Sequence, residues 1–515
     1  MSCFYVLPET NVKLYQNSPK RIVFLAGGYD GYYFNFGDLL QLKGAINWHK
    51  KENPDAFILP IIHLAPVPNK TFIKELSAYL GTSDFLFYAF PEEISRKDFK
   101  EKIVQLSFEP MRLFSKEPSL IFHVYGGGFF NRFWGEFKLK EIEMVLDNFP
   151  IDYYVISGQQ IEREFIPALV EHIRKYQPDI IGCRDFHSLE ILSEQGIISY
   201  FSSDDSFGEL SYIARKAKNL KVLGEYKFSF ALNMNLSYYV LSSDEVFLNK
   251  LDYLLNLLSS KGQKDGIPIF VESYLTRNNE VQNMWVSIKK SLLTKYFPKF
   301  IGIDLAGYLL KGELQEAGSI LRLAPFLIAN SYHTALFGKM LGISTYLMSF
   351  NEYYAQKQSG LEVKQRTLEE FLDEAKDIIL KEQEEVIKTH EEARTKWLKE
   401  LKEVLGIESK RVHFRVLNYY KNKVDYYKEK LKGLNTQLES LQAEVGRLKD
   451  ENLQLRNHNV ILTEEIFHLK KRLSFIEKSI SWHLVETWWK VKAHPIGRIV
   501  FFPIVKLVHF IWRRK

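Results

Sequence analysis

The most constraining feature of this chain is a seven-residue repeat towards its C-terminal end. Leu434, Leu438, Leu441, Val445, Leu448, Asn452, Leu455, Asn459, Leu462, Ile466, Leu469, Leu473, Ile476 and Ile480 recur at alternating spacings of four and three. A period of 3.5 keeps one apolar seam turned to a partner only in supercoiled helices, so this segment is predicted to be a coiled coil. Leu fills most d positions, while Asn452 and Asn459 both fall at a. A buried amide there costs stability and fixes register by pairing with its own copy. A parallel homodimer follows most simply. A trimer, or a long helix packed on the rest of the chain, is the alternative.

The sequence before the repeat is too long for one core and reads as two α/β domains. Arg21-Ile-Val-Phe-Leu-Ala26, Phe57–Ile62, Leu120–Tyr125, Tyr153–Ile156 and Ile180–Cys183 are near-continuous apolar runs, each followed by a polar or glycine turn and a helical pattern. The pattern restarts after Asn219 with Phe228–Leu232, Ile267–Val271, Phe326–Ala329 and Ser344–Met348. Apolar strands alternating with helices indicate parallel sheets covered on both faces. The expected organisation is an N-terminal Rossmann-like domain over 1–220, a second over 221–408, a coiled coil over 409–480 and a tail over 481–515. The boundary falls near 216–226, and the charged helical stretch Thr367 to Glu408 closes the second domain.

Charge excludes a nucleic-acid partner. From Thr487 to the end there are seven Lys/Arg and no acid, and without those seven the chain has 62 basic against 63 acidic residues. A nucleic-acid binder carries its charge on the folded domain; here it sits on the tail. Trp488, Trp489, Phe501, Phe502, Phe510 and Trp512 alternate with those basic residues, while Arg498, Pro503 and Lys506 interrupt the apolar run. Such a segment is suited to lie in a membrane surface rather than span it; packing on a partner enzyme is the alternative. Cys3 and Cys183 form no CxxC spacing and fit a reducing cytoplasm. With no signal-peptide pattern in Met1 to Lys20, the expected location is the inner face of the cytoplasmic membrane.

Four turns carry candidate chemistry. Asn35-Phe-Gly-Asp38 opens a helix, where Gly37 frees the backbone and Asp38 can cap or bind a ligand hydroxyl. Gly126, Gly127 and Gly128, followed by Asn131, let the main chain approach a ligand and offer amides to an anion. Arg184 and Asp185 open another helix, where they could hold a ligand or pair with each other. His333 follows Ser331 at a strand-to-helix turn, a position suited to acid/base work near neutrality. Asn351 lies beyond the next apolar run. In open parallel sheets ligands sit past the carboxyl ends of strands, where these turns converge.

Together these segments resemble the polysaccharide pyruvyl transferases over roughly residues 21–365: the Asn-x-Gly-Asp turn at Asn35, the Gly-Gly-Gly-Phe stretch at Gly126, the Arg-Asp-x-x-Ser start at Arg184 and the His333 turn before Ala-x-x-x-Gly-Ile. The resemblance implies a GT-B-like fold, two Rossmann-like domains facing across a cleft. It implies transfer of pyruvate from phosphoenolpyruvate to two hydroxyls of a glycan acceptor, lipid-linked or growing, with His333 as general acid and no metal or other cofactor. Family members commonly carry an arginine two residues before the histidine, where this chain has Ser331. A second, after the first strand of the second domain, is also missing from Leu232 to Ser237. Arg322 and Lys357 are the candidate substitutes. Without those arginines, a GT-B glycosyltransferase with a nucleotide-sugar donor is the second reading and a non-catalytic assembly scaffold the third. Ile480-Ser-Trp-His-Leu484 resembles a short Ser-x-Ser-Trp-like motif that follows coiled coils in cell-surface glycosyltransferases.

Overall fold

The computed structural model describes residues 3–17, 20–28, 35–63, 70–89, 104–105, 118–220, 227–235, 244–274, 280–349, 351–406 and 412–493. It divides into two compact units, Met1–Lys423 and Val424–Lys515.

The first unit holds two sheets. Strands β1 (Cys3–Val6), β2 (Arg21–Ala26), β3 (Ala56–His63), β4 (Leu86–Ala89), β5 (Val104–Gln105), β6 (Ser119–Val124), β7 (Gly127–Phe130), β8 (Tyr153–Ile161), β9 (Ile180–Cys183) and β10 (Tyr200–Phe201) build one in the order β10-β9-β8-β6-β2-β3-β4-β1-β5, with β7 beside β8. Its pairings are parallel except for β1, antiparallel to β4 and β5. Strands β11 (Phe228–Asn233), β12 (Ile267–Glu272), β13 (Ile301–Asp304), β14 (Phe326–Ala329) and β15 (Ser344–Leu347) form an all-parallel sheet in the order β13-β12-β11-β14-β15. Apart from β1 and β5 at one end of the order, the first sheet grows outward both ways from β2 and the second from β11, so the order reverses between β2 and β6 and between β11 and β14. Ligand crevices form beyond the carboxyl ends of strands at such reversals. This is the GT-B-like architecture expected from the sequence.

Burial explains the apolar runs. Ile22 through Ala26 are all buried, with Val23 and Leu25 on one face and Ile22 and Phe24 on the other. In the second sheet Phe230 and Leu232 turn to one core, while Ala231 turns to the core that both halves share. That shared core joins Phe36 and Leu40 to Leu336 and Phe337, and the Phe36 and Phe337 rings lie 6.1 Å apart. Each such fully buried side chain contributes about 1.5–3 kcal/mol.

The helix Lys376–Gly406, expected to close the second half, packs on both. Gln383 accepts from the amide of Thr345 on β15 (2.7 Å). Further along, His390 meets Ser203 Oγ (2.9 Å) and Arg394 donates to Asp205 (2.5 Å) in the first half. Arg394 and Asp205 are both buried. Arg394→Ala would leave a buried carboxylate without its cation and is expected to cost about 3–5 kcal/mol, read as a lower urea midpoint.

The second unit is described through one element. The helix Val412–Ala493 runs without a break for 82 residues, so Ser481 to Ala493, expected to belong to a separate tail, continue it. The tail residues Arg498, Phe501, Phe502, Pro503, Lys506, Phe510 and Trp512–Lys515 lie outside the described residues. Among the described residues no helix is long and apolar enough to cross a membrane.

Candidate active site

The predicted turns meet between the two halves, and most of their polar residues are helix caps. Asn35 caps Phe36–Glu52 by accepting from Gly37 N (2.9 Å). Asp185 caps Phe186–Glu194 through Ser188 N (2.8 Å). Ser331 caps Tyr332–Met340 through Thr334 N, and Asn351 caps Glu352–Ser359 through Tyr354 N (3.2 Å). Capping satisfies otherwise orphaned amides and fixes where each helix begins. The positive ends of four helices thus lie within two residues of Gly37, Arg184, His333 and Tyr353.

The halves touch directly here. Phe36 N donates to Ser273 O (2.9 Å), and Asn35 bridges Tyr274. His333 lies over Gly37 so closely that a Cβ there would come 1.9 Å from Nδ1. The glycine of the Asn-x-Gly-Asp turn is therefore explained by an imidazole delivered from the other half. On the far side, Tyr353 Oη donates to Gly128 O (3.0 Å) and Gln160 Nε2 to Tyr353 O (3.1 Å).

The anchor of the site is a segment the sequence reading passed over. Ser202-Ser-Asp-Asp-Ser206 looks like a solvated turn, yet all five residues are buried. Ser203 adopts a left-handed backbone, φ 59°, held by the Ser203–His390 contact and by His390 Nε2 donating to Gly360 O (2.8 Å). Asp204 Oδ2 then accepts from Gln41 (2.8 Å) and faces Arg184 Nη1 and His333 Nε2, each at 3.4 Å. The imidazole approach is too long to be a well-formed hydrogen bond. Burial alone would raise the Asp204 carboxyl, but His333, Arg184 and Ser206 hold it well below the usual carboxylate range. A detectable cue was its position: it directly follows Tyr200-Phe201 at the carboxyl end of a parallel strand.

Arg184 does not pair with Asp185. Its guanidinium lies 4.2 Å from the centre of the Tyr332 ring and donates to Gln160. Lys357 follows on from it, with Nζ 4.2 Å from the Tyr353 ring centre. Burial and the Arg184 charge push the Lys357 ammonium well below its ordinary value, against an opposing pull from Asp38. Asp38 itself lies over Gly28, where a Cβ would come 2.9 Å from Oδ1.

Other expectations need correction. Arg322 is elsewhere: it donates to the carbonyls of Leu341 (3.2 Å), Ala217 (2.5 Å) and Ala214 (3.2 Å), tying down the crossover between the halves. The Gly126 amide donates to Asp205 Oδ2 (2.6 Å), so it is not available to a ligand anion. Gly127, at φ 153°, takes a backbone that side chains rarely adopt. A Cβ on Gly128 would come 2.7 Å from Tyr353 Oη. Asn131 is consumed by the turn after β7, donating to Gly128 O (2.5 Å) and accepting from Phe133 N (2.8 Å) and Trp134 N (2.9 Å).

A family profile described as polysaccharide pyruvyl transferase matches residues 35–352, starting at the Asn35 cap and ending beside the Asn351 cap. The chain belongs to the polysaccharide pyruvyl transferase family. This pyruvyl transferase family member is accordingly a transferase, and its family supports polysaccharide modification. No curated protein matches it. Among solved structures it is similar to a putative UDP-N-acetylglucosamine 2-epimerase from Listeria monocytogenes, at 9% identity, covering 74% of this chain and 91% of that one, with a TM-score of 0.39. It is similar to α,α-trehalose 6-phosphate synthase from Burkholderia multivorans, at 9% identity over 75% and 98%, with a TM-score of 0.39. An Anabaena protein, HepE, in complex with UDP is similar at 11% identity over 75% and 99%, with a TM-score of 0.36. No donor or acceptor follows from likeness at that level.

Proposed function

We propose that this family member transfers the pyruvyl unit of phosphoenolpyruvate to two hydroxyls of a sugar in a bacterial surface glycan, forming a cyclic ketal. The observation that carries the reading is His333 facing the buried Asp204 at 3.4 Å, with Arg184 and Lys357 beside them. His333, as general acid, gives a proton from its imidazole to the donor's methylene carbon. The resulting oxocarbenium ion is attacked at C2 by a sugar hydroxyl, which loses its proton. The C2–O bond to phosphate breaks, and the second hydroxyl closes the ring at C2. Of the two hydroxyl protons, one ends in the new methyl group by way of His333 and the other leaves with inorganic phosphate.

Arg184 and Lys357 supply the positive charge that the donor carboxylate and phosphate require, in place of the arginine that Ser331 replaces. The four helix N-termini add about 0.3–1 kcal/mol each for a nearby anion. His333 is 8% exposed and Arg184 2% exposed.

Lys357 makes the reading testable. Its ammonium is depressed in the free protein, and a bound dianion would raise it again, so binding takes up a proton. Affinity for phosphoenolpyruvate is then complete below the free-state pKa and falls about tenfold per pH unit between the free and bound values. Titration calorimetry across a pH series should show this decline, with proton uptake visible in buffers of different ionisation enthalpy. In Lys357→Met the decline should vanish. A pH-independent affinity in the native chain contradicts the assignment.

The same reading extends to assembly. The C-terminal helix pairs with that of a second copy, and the basic aromatic tail holds the dimer at the inner face of the cytoplasmic membrane, close to a lipid-linked acceptor. Each basic residue near an anionic surface adds about 1 kcal/mol.

A further inference from the structure

The proposed chemistry leaves unused a cluster of exposed aromatic side chains just past the glycine turn. In Phe129-Phe-Asn-Arg-Phe-Trp134, Phe129 and Phe130 are buried at 5% and 0%, whereas Phe133 and Trp134 are 44% and 46% exposed. Phe137, one turn into the helix Gly135–Asn148, is 38% exposed. Exposed side chains of this size need a reason when they cluster.

Their position supplies one. Among the described residues β7 pairs with the carboxyl-terminal part of β8, Gly127 with Gln159 and Phe130 with Ile161, so the turn after β7 stands at the carboxyl end of the sheet, next to Gly128. Asn131 ties it to the reaction centre: its amide donates to Gly128 O, the carbonyl that Tyr353 also binds, while its oxygen holds the amides of Phe133 and Trp134. Glu162 accepts from Arg132 N (2.9 Å). Gly135 lets Phe165 lie beneath, since a Cβ there would come 2.2 Å from its ring. Phe133, Trp134 and Phe137 are therefore carried, partly exposed, on a braced turn.

Their chemistry is mixed. Arg132 lies over the Phe133 ring at 5.0 Å, and Lys138 is 5.8 Å from the Phe137 ring. His63, at the carboxyl end of β3, is 6.3 Å from Phe137. A pyranose ring offers an apolar C–H face edged by hydroxyls, and aromatic faces bordered by donors complement it. A purely apolar partner would have no use for that border.

We propose that Phe133, Trp134 and Phe137 form the platform on which the acceptor glycan lies, leading its reactive sugar towards Gly128. This rests on the glycan-modifying reading, but the platform can be tested without the donor. The full chain would be mixed with a panel of glucose-, galactose-, mannose- and N-acetylglucosamine-containing tetrasaccharides, and binding read by saturation-transfer difference NMR. We expect saturation on the ring C–H protons of at least one member. It should fall about tenfold in Phe133→Ala/Trp134→Ala, recover in Trp134→Phe, and persist in Tyr253→Ala, an exposed aromatic of the second half. No saturation with any member overturns the platform, as does saturation unchanged in the double variant. Loss of sedimentation with phosphatidylglycerol vesicles in the double variant, with saturation intact, makes the turn a lipid contact and also overturns it. Loss of phosphoenolpyruvate binding with the platform intact would instead count against the donor alone.

Discussion

Replacing His333 by alanine is expected to lower kcat for pyruvyl transfer by about 10²–10⁴-fold and to leave phosphoenolpyruvate affinity within about threefold. The split follows from the division of labour in the cleft. In the proposed mechanism the donor's charges are held by Arg184 and Lys357, whereas His333 acts on the methylene carbon. Asp204→Asn keeps the size of the side chain and removes the carboxylate that faces the imidazole at 3.4 Å. Its kcat should fall. Gly37→Ala provides an independent check, because its Cβ would come 1.9 Å from Nδ1. It should reduce kcat by displacing the ring without altering either charge. A His333→Ala enzyme with unchanged kcat would remove the histidine from the mechanism.

The second large effect lies in the C-terminal helix. Its apolar seam residues, from Leu434 through Ile480, are between 40 and 62% exposed in the single chain. In a dimer Leu448 and Leu455 face their own copies, so Leu448→Ala/Leu455→Ala removes four buried side chains at about 2–5 kcal/mol each. Light scattering of the full chain should change from dimer mass to monomer mass at micromolar concentration. Asn452→Leu/Asn459→Leu should do the reverse, tightening association while admitting trimers and mixed registers. A native chain already at monomer mass, or a leucine variant that stays dimeric, would refute the seam.

Much of this was legible in the sequence for a simple reason. Buried parallel strands need long apolar runs, and Arg21–Ala26, Ile180–Cys183 and Phe326–Ala329 carry them. Cys3–Val6 and Leu86–Ala89 are as apolar but only four residues long, too short for pattern alone to tell a strand from a buried helical turn. Ile301–Asp304 is broken by Gly302 and Asp304. The site was legible as turns but not as roles. Asn35, Asp185, Ser331 and Asn351 stood out because capping residues and ligand-binding residues are the same types. Only their hydrogen bonds separate the two uses. Asp204 and Asp205 were missed because a Ser-Ser-Asp-Asp-Ser string has the composition of an exposed turn. Its burial depends on Arg394, about 190 residues away in the chain, a separation that no local pattern encodes. Arg322 was misassigned for the opposite reason: a cation near a histidine in sequence need not share its cavity.

The most direct test of the central claim is ligand-dependent unfolding of the full chain with phosphoenolpyruvate and, separately, with UDP-glucose, UDP-galactose and UDP-N-acetylglucosamine. A ligand at a hundred times its Kd adds about 2.7 kcal/mol to stability. The account predicts stabilisation by phosphoenolpyruvate, lost in Lys357→Met and retained in Arg322→Ala. Stabilisation by a nucleotide sugar with none by phosphoenolpyruvate would contradict it and make this cleft a glycosyltransferase site.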